Sequence, residues 1–274
     1  MAWDRQITIK NARELEIMRA AGKINAEALA AARALIRPGV TTADLNAAAE
    51  EVMRKHGVYS PFKNYPGPYP YPASTTISVN EELVHGIPGK RKLKEGDIVS
   101  VDSGVVYEGF VADSAFTAGV GQISTEARRL LEVTEGALYE GISKMVVNNR
   151  VGDVSAAVQR YVESRGFSVT REYTGHGVGR SMHEGPQVPN YGVAGRGLLL
   201  RAGMTIALEP MVLVRSYRTK VMPDEWTVAS EDGGLTAHFE HSVAITEDGP
   251  YILTVVDDHQ TRIAAGSQAN TGQS

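Results

Sequence analysis

Apolar residues recur at helical spacing between Asn11 and Ile36, and this pattern predicts a long first helix. Asn11 is followed three residues later by Glu14, which is the spacing of a capping box, and a Pro-Gly pair beyond Ile36 breaks the pattern. A second helix is predicted from Thr41, which again has an acid three residues on, to a stop at Gly57. We therefore expect two consecutive helices at the start of the chain.

The same order of patterns returns between 107 and 109 residues later. Helical spacing runs from Ser124 to Val147 and again from Gly152 to Gly166, and strand-like runs follow both pairs of helices. Self-similarity at a fixed offset indicates an internal repeat. We predict one α+β catalytic domain over residues 1–262, with two related halves at about 1–120 and 121–262. The small, polar residues 263–274 are predicted to form a disordered tail.

The best-matched segments of the repeat are two strands that each carry a carboxylate. The run Lys94-Glu-Gly-Asp-Ile-Val-Ser-Val-Asp102 aligns with Arg201-Ala-Gly-Met-Thr-Ile-Ala-Leu-Glu209, glycine with glycine and apolar with apolar. A carboxylate in apolar surroundings is costly unless a partner compensates it. Its repetition suggests a cation site between the two halves.

The first half supplies a second acid through a predicted hairpin. A turn near Glu108-Gly109 would join the strand that contains Asp102 to the run Phe110–Phe116, which contains Asp113. The two aspartates would then be nearly opposite, with Cβ atoms roughly 5 Å apart, where like charges destabilise a sheet. A shared proton or a bound cation removes this penalty. The alternative is a register that turns one aspartate into water.

The second half supplies Glu209 and also Glu240, which lies in an apparent strand from Ala237 to Ile245. Four carboxylates related in pairs would provide the ligands of a dinuclear, oxygen-rich metal site. Taken alone, Glu240 is an ordinary strand residue.

Three histidines are further candidates for chemistry. His176 lies between glycines in a stretch, Gly175–Gly197, whose composition predicts a loop, and imidazole is a common metal ligand. A phosphate-binding glycine loop is the rival interpretation, but the glycine spacing and the helix start that it requires are missing. His183 and His85 are the other two, although each alone fits an ordinary loop histidine.

Composition narrows the class of protein. The chain has 274 residues, 42% of them hydrophobic, and a formal net charge of −4 without a basic block, so we predict no nucleic-acid binding. It has no cysteine, so a metal must be held by oxygen and imidazole ligands. There is no signal-like N-terminal segment and no long apolar run, from which we expect a cytoplasmic protein without membrane contact. No exposed apolar stripe is evident, and a monomer is expected.

Together, these motifs resemble the type I methionine aminopeptidases, from about Ile7 to Asp257. The residues that carry the resemblance are Asn80-Glu-Glu-Leu-Val-His85-Gly-Ile-Pro, Asp102, Asp113, Gly175-His-Gly, His183-Glu, Glu209-Pro-Met and Phe239-Glu240-His. Only 25 residues separate His183 from Glu209, which favours type I over the type II enzymes with their large insertion. The resemblance implies the pseudo-twofold pita-bread fold, a curved antiparallel sheet covered by two helix pairs.

The resemblance also implies a set of site residues. Two divalent ions (cobalt, manganese, iron or zinc) would be held by Asp102, Asp113, His176, Glu209 and Glu240. Asp102 would chelate one ion, His176 and Glu209 would favour the other, and Asp113 and Glu240 would bridge them.

By the same resemblance, metal-activated hydroxide would attack the first peptide bond of a nascent chain, removing methionine before a small second residue. His183 would donate to the oxyanion, His85 would contact the scissile nitrogen and Glu209 would shuttle a proton. Transient contact with the ribosome is implied as well.

By the same resemblance, the methionine side chain would lie against Tyr71, Thr76, Met182 and Trp226, together with the two histidines. Two positions depart from the common bacterial pattern: Thr76 replaces a cysteine and His238 replaces a glutamine. We predict a hydrogen-bonding role for His238 rather than a sixth ligand. The alternatives are a proline-specific aminopeptidase or dipeptidase, which usually has a further N-terminal domain, and a non-catalytic binding module, which would have lost ligands.

Overall fold

The computed structural model describes residues 6–257, and its first two helices begin and end as the sequence predicts. Helix α1 spans Ala12–Leu35 and helix α2 spans Thr42–His56. Asn11 and Thr41 are the N-caps, each in a capping box with the acid three residues on, and Gly57 ends α2 in the left-handed conformation at φ 67°. These local signals are strong because each satisfies backbone groups that a helix end leaves unpaired.

The second pair of helices is shorter than predicted. Helix α3 spans Thr125–Ser143 and helix α4 spans Val151–Glu163. The predicted extension of α3 to Val147 is wrong because the chain turns away beyond Ser143. The side chain of Asn149 donates to the carbonyl of Lys144 (2.9 Å), and Asn148 has a left-handed φ of 73°. The apolar residues after Ser143 pack in the core without continuing the helix.

All of the described strand pairs are antiparallel. The largest sheet has the order β1-β3-β4-β13-β8-β6-β7, with β14 paired to β13, and two three-stranded sheets have the orders β10-β11-β2 and β12-β9-β5. The strands are β1 Thr75–Val79, β2 Glu82–Val84, β3 Ile98–Tyr107, β4 Phe110–Gly119, β5 Ser168–Val169, β6 Thr174–Gly177, β7 Glu184–Pro189, β8 Thr205–Leu208, β9 Met211–Leu213, β10 Thr219–Val221, β11 Val228–Ser230, β12 Thr236–His238, β13 Glu240–Thr246 and β14 Gly249–Ile252.

The glycine-rich stretch Gly175–Gly197 is not a loop throughout, as its composition had predicted. It contains most of β6 and all of β7. A Cβ at Gly175 would lie 2.7 Å from the carbonyl oxygen of Ala207, and one at Gly177 would lie 2.0 Å from that of Gly185. The glycines therefore allow close approach of neighbouring backbone within the sheet.

The hairpin of β3 and β4 turns at Glu108-Gly109, as predicted, with both residues at positive φ (46° and 77°). Asp102 pairs with Ala115, and Asp113 pairs with Gly104, so the two aspartates are diagonal neighbours. On the opposite face, the Asn25 amide of α1 donates to Ser114 Oγ (2.8 Å). Because successive side chains of a strand alternate between faces, Asp113 faces away from α1.

The core lies between the helices and the large sheet. Its largest cluster combines residues of all four helices with residues of both halves of the sheet, among them Leu29, Leu45, Ile142, Val154, Val101 and Ile206. In residues 6–257, no helix has the length and hydropathy that crossing a bilayer requires. The helix-helix-strand order occurs twice, while the boundary of the halves near residue 120 and the single-domain limits remain predictions. The predicted tail at 263–274 lies outside the described residues.

Candidate metal centre and adjoining cavity

Five predicted ligands come from five adjacent strands of the large sheet. Asp102 lies on β3, Asp113 on β4 and His176 on β6, while Glu209 directly follows β8 and Glu240 begins β13. The order β3-β4-β13-β8-β6 therefore brings residues distant in sequence to one place.

The strand predicted from Ala237 to Ile245 is in fact broken at Phe239. β12 ends at His238 and belongs to a different sheet, and β13 begins at Glu240. Thr117 Oγ1 causes the break, because it donates to the His238 carbonyl (2.8 Å) and accepts from the His238 amide (2.9 Å) in place of a backbone ladder. The change of sheet leaves Glu240 at a strand start, where it pairs with Ala115.

The ligand atoms of Asp113, His176 and Glu240 all lie within 4.8 Å of one another. His176 Nε2 is 3.4 Å from Glu209 Oε1 and 4.0 Å from Asp113 Oδ2. His176 Nδ1 lies 2.9 Å from the carbonyl oxygen of Gly177, which can only accept, so Nδ1 carries a proton. The other nitrogen, Nε2, is thereby left to present its lone pair to a metal.

The four carboxylates are buried together, and their ionisation is suppressed. Burial raises the pKa of Asp102 to about 7. Burial, followed by the charges of Asp102 and Glu209, raises the pKa of Asp113 well above its usual value. Burial and the neighbouring carboxylates raise the pKa of Glu209 and of Glu240 in the same way. A divalent cation would reverse these effects because it favours the ionised forms.

The donor atoms of the cluster fit a divalent cation. Oδ1 of Asp102, Oδ1 of Asp113 and Oε1 of Glu240 are buried without a hydrogen-bond partner. Buried polar atoms are normally paired, so three orphaned carboxylate oxygens converging with an imidazole indicate a binding site. Carboxylate and imidazole donors are suited to cobalt, manganese, iron and zinc.

His238 lies beside the cluster, and the predicted hydrogen-bonding role is not seen at its Nε2. Its Nε2 is 3.7 Å from both Glu209 Oε2 and Glu240 Oε2, beyond hydrogen-bond distance, and has no partner among the described residues. Burial, followed by the nearby His85, lowers the pKa of His238 to about 3. The ring is therefore neutral and sits at the rim of the acidic cluster.

A cavity of about 130 Å³ adjoins Asp102. Its walls include all six residues that the sequence assigned to substrate binding, together with three others. The lining residues are Phe62, Tyr65, Tyr71, Thr76, His85, Asp102, Met182, His183 and Trp226. Sequence reasoning missed Phe62 and Tyr65, although Tyr65 begins a Pro- and Tyr-rich stretch that runs to Pro72. Thr76 connects the cavity to the cluster, with its hydroxyl 3.4 Å from Asp102 Oδ2.

The two auxiliary histidines both line this cavity, and aromatic side chains contact each of them. Tyr65 Oη lies 2.7 Å from His183 Nδ1, and the His183 ring lies 4.3 Å from that of His176. His85 has a left-handed φ of 62° and makes edge contacts with Tyr173 and Trp226. A non-glycine residue in this conformation is strained, and such strain is common in functional sites. Burial lowers the pKa of His85 to about 4, so its ring is neutral.

Comparison with known proteins defines the class of protein. A profile described as metallopeptidase family M24 matches residues 16–247. The chain belongs to this family. Prolidase from Pyrococcus furiosus has the same fold, with a TM-score of 0.72 at 23% identity over 91% of this chain and 66% of its own. The predicted pita-bread fold is thereby confirmed, and this second likeness is one of fold alone.

Within the family, the chain is similar to the methionine aminopeptidases, which confirms the resemblance drawn from the sequence. It is 51% identical to the methionine aminopeptidase of Clostridium perfringens over 250 residues, covering 91% of this chain and 99% of that one. The crystal structure of the Thermotoga maritima methionine aminopeptidase superposes with a TM-score of 0.89 at 48% identity. The superposition covers 91% of this chain and 100% of the Thermotoga maritima chain.

Proposed function

We propose that this protein is a methionyl aminopeptidase that removes the N-terminal methionine from peptides and nascent chains. The observation that carries the proposal is a cluster of four carboxylates and one imidazole that opens directly into a small, largely apolar cavity. Relatives between 41% and 51% identical are named methionine aminopeptidases and match nearly end to end.

The chain uses divalent metal, as a member of a metallopeptidase family with a fitting donor set. In our proposal the ligands are Asp102, Asp113, His176, Glu209 and Glu240, and they hold two ions of cobalt, manganese, iron or zinc. When bound, the ions supply Lewis-acid polarisation of the scissile carbonyl and an activated water near neutral pH. In the strand order, Asp113 and Glu240 lie between Asp102 on one side and Glu209 and His176 on the other, so they would contribute to holding both ions.

The histidines of the cavity handle the charge and the proton. If Tyr65 donates to His183 Nδ1, the proton of His183 lies on Nε2, which can then donate to the oxygen that becomes negative in the transition state. His85 is neutral, and its ring can accept a hydrogen bond from the scissile N–H or donate one to that nitrogen as it leaves as an amine. Glu209 is the least enclosed of the acids, with 13% of its side chain exposed, and is the one suited to pass a proton to the departing amine.

The size and lining of the cavity determine which residue is removed. Tyr71, Met182 and Trp226 provide apolar walls, and about 130 Å³ accommodates one unbranched side chain. A small second residue is expected because the scissile bond must approach the buried acids. Substrates of this kind arise on nascent chains, and in our proposal the enzyme acts in the cytoplasm with transient ribosome contact.

Cleavage of short peptides by metal-free and metal-loaded protein tests the proposal. Methionine should be released from Met-Ala-Ser only when metal is present, while Ala-Ala-Ser stays intact. A peptide that begins Met-Pro, alongside one that begins Ala-Pro, separates this activity from that of a proline-specific enzyme. Folded, metal-loaded protein without activity on any of the peptides would contradict the proposal and favour a binding module.

A further inference from the structure

The segment that precedes α1 reaches across the molecule to the loop that carries His183. Lys10 Nζ lies 2.6 Å from Glu184 Oε2, and only 3% and 7% of these two side chains are exposed. Thr8 Oγ1 donates to the same carboxylate oxygen and accepts from Lys10 Nζ. None of these three residues has a part in the chemistry proposed above.

The second oxygen of Glu184 holds the loop itself. Oε1 accepts from the amide of Arg180 (2.7 Å) and from the amide of Ser181 (3.2 Å). The Lys10 side chain passes over Gly179, where a Cβ would lie 2.5 Å from Lys10 Cε. Met182 and His183 follow Ser181 along the loop, and both line the cavity.

The segment before α1 does not need these side chains to stay in place. Its backbone is already paired, since the Lys10 amide donates to the Gly203 carbonyl (2.8 Å) and Ile7 forms a bridge with Gly185. The buried Glu184 carboxylate at the base of the loop instead accepts four hydrogen bonds, two from the Thr8 and Lys10 side chains and two from amides of the loop. This arrangement fixes the loop rather than the segment.

The charges of Lys10 and Glu184 depend on each other. Burial would raise the pKa of Glu184, but the hydrogen bonds from Lys10 and Thr8, the Lys10 charge and the loop amides together hold it below its usual value. Burial lowers the pKa of Lys10, and the attraction of Glu184 offsets this only in part. Each partner therefore needs the other to remain charged inside the protein.

We propose that Thr8, Lys10 and Glu184 form an N-terminal clasp that positions Met182 and His183 for the reaction. They are positioning residues, because they act through the loop and do not line the cavity. The proposal rests on the proposed function for its catalytic consequence, but the effect of the clasp on the loop can be measured without any activity.

The variants are chosen so that the clasp is weakened in steps. Thr8→Val removes one donor and keeps the side-chain shape, whereas Thr8→Ser restores the hydroxyl. Lys10→Met removes the buried cation and leaves Glu184 without its ion pair. Arg19→Met is the matched control, because Arg19 is a buried cation of α1 that donates to the Leu253 and Val255 carbonyls (2.7 and 2.6 Å), far along the chain from the loop.

Hydrogen exchange at the Arg180 and Ser181 amides is the first measurement. We expect faster exchange of both amides in Thr8→Val and Lys10→Met, with wild-type rates in Thr8→Ser. Exchange that stays unchanged in Thr8→Val would overturn the proposal. The exchange rates test the clasp even if wild-type protein proves inactive. Inactive wild-type protein would count against the proposed function alone. Should Lys10→Met fail to fold, the Thr8 pair decides the question.

Steady-state kinetics on Met-Ala-Ser is the second measurement. A displaced loop should lower kcat/KM by about tenfold to a hundredfold in the weakened variants. Both kcat, through His183, and KM, through Met182, should change, and Thr8→Ser should recover wild-type values. Arg19→Met should retain wild-type kinetics below its unfolding temperature. An equal kinetic loss in Arg19→Met would show a general effect of lowered stability and would overturn the positioning role.

Discussion

His176 Nε2 and Glu209 Oε1 face each other across 3.4 Å, with the imidazole proton held on the far nitrogen by the Gly177 carbonyl. Two hydrogen-bond acceptors in this arrangement repel each other unless a cation or a proton lies between them. The pair therefore makes metal-dependent behaviour the property to test first.

Replacing one ligand should separate stability from metal binding. In metal-free protein, Asp113→Asn removes one of several buried acids and should raise the free energy of unfolding at neutral pH, because the raised pKa of Asp113 means that its ionisation opposes folding. The same change should abolish the stabilisation that added metal gives. Thermal unfolding with and without chelator measures both effects.

Glu132→Gln, on the exposed surface of α3, is the control and should leave both values unchanged. A variant Asp113→Asn that is less stable without metal, yet still gains stability from it, would contradict the assignment.

Metal binding should release protons. The pKa values of Asp102, at about 7, and of Asp113, Glu209 and Glu240 are raised, so metal-free protein holds protons on this cluster at pH 6. Metal requires the ionised forms, so affinity should increase from pH 6 to pH 8 by about tenfold per unit for each proton released. Titration calorimetry in buffers of different ionisation enthalpy counts the protons. Affinity that does not vary with pH would contradict the suppressed ionisation.

Removal of the His183 ring should affect the chemical step and leave metal binding intact. His183→Ala should lower kcat by about a hundredfold to a thousandfold, the usual loss when one oxyanion donor is removed. Tyr65→Phe removes only the group that orients the ring, 2.7 Å from Nδ1, and should cause a smaller loss of about tenfold. Kinetics of metal-saturated protein gives the two values. A larger loss in Tyr65→Phe than in His183→Ala would reverse the assigned roles.

Met182 should determine the fit of the substrate side chain. Met182→Ala removes part of the cavity wall and should lower kcat/KM for methionine peptides by about tenfold to two hundredfold, the range for a change in apolar fit. Peptides with bulkier first residues should lose less, because the enlarged cavity receives them. Competition between such peptides measures the change, and an unaltered preference would exclude Met182 from the pocket.

His241 should make the protein sensitive to acid independently of the metal centre. Burial lowers its pKa to about 4, and its Nδ1 lies 2.8 Å from Thr254 Oγ1. The folded state therefore binds fewer protons than the unfolded state between about pH 6.5 and 4, and stability falls with decreasing pH in this window by up to about 1.4 kcal/mol per unit. His241→Asn should flatten this slope in denaturant titrations. If the stability of the variant falls equally steeply with decreasing pH, His241 is not the cause of the acid sensitivity.

Local signals account for the parts of the fold that the sequence predicts best. The capping boxes at Asn11 and Thr41 and the turn at Glu108-Gly109 involve residues within three positions of each other, so their structure follows from short segments. The repeated acid-bearing strands indicated that Asp102 and Glu209 would meet. Only the family resemblance added His176 to these acids, because its own segment was predicted to be a loop.

The sequence predictions fail where the structure of a segment depends on a contact with residues far away along the chain. Composition predicts a loop around His176 because the backbone that crowds its neighbouring glycines, at Ala207 and Gly185, is not visible in local sequence. The break at Phe239 depends on the Thr117 side chain, more than a hundred residues away. Glu184 and Lys10 are likewise ordinary charges in sequence, and only the fold brings them together.

The positions of the five ligands along the chain have a consequence for folding. Asp113 and His176 are separated by about 60 residues, and Glu240 lies about 60 residues beyond His176, in a chain without a single cysteine. An ion held by residues so far apart would stabilise the folded state that brings them together, because the unfolded chain does not preserve the site. In our proposal the metal would thus fasten distant segments of the chain to one another, and chelation should accelerate unfolding.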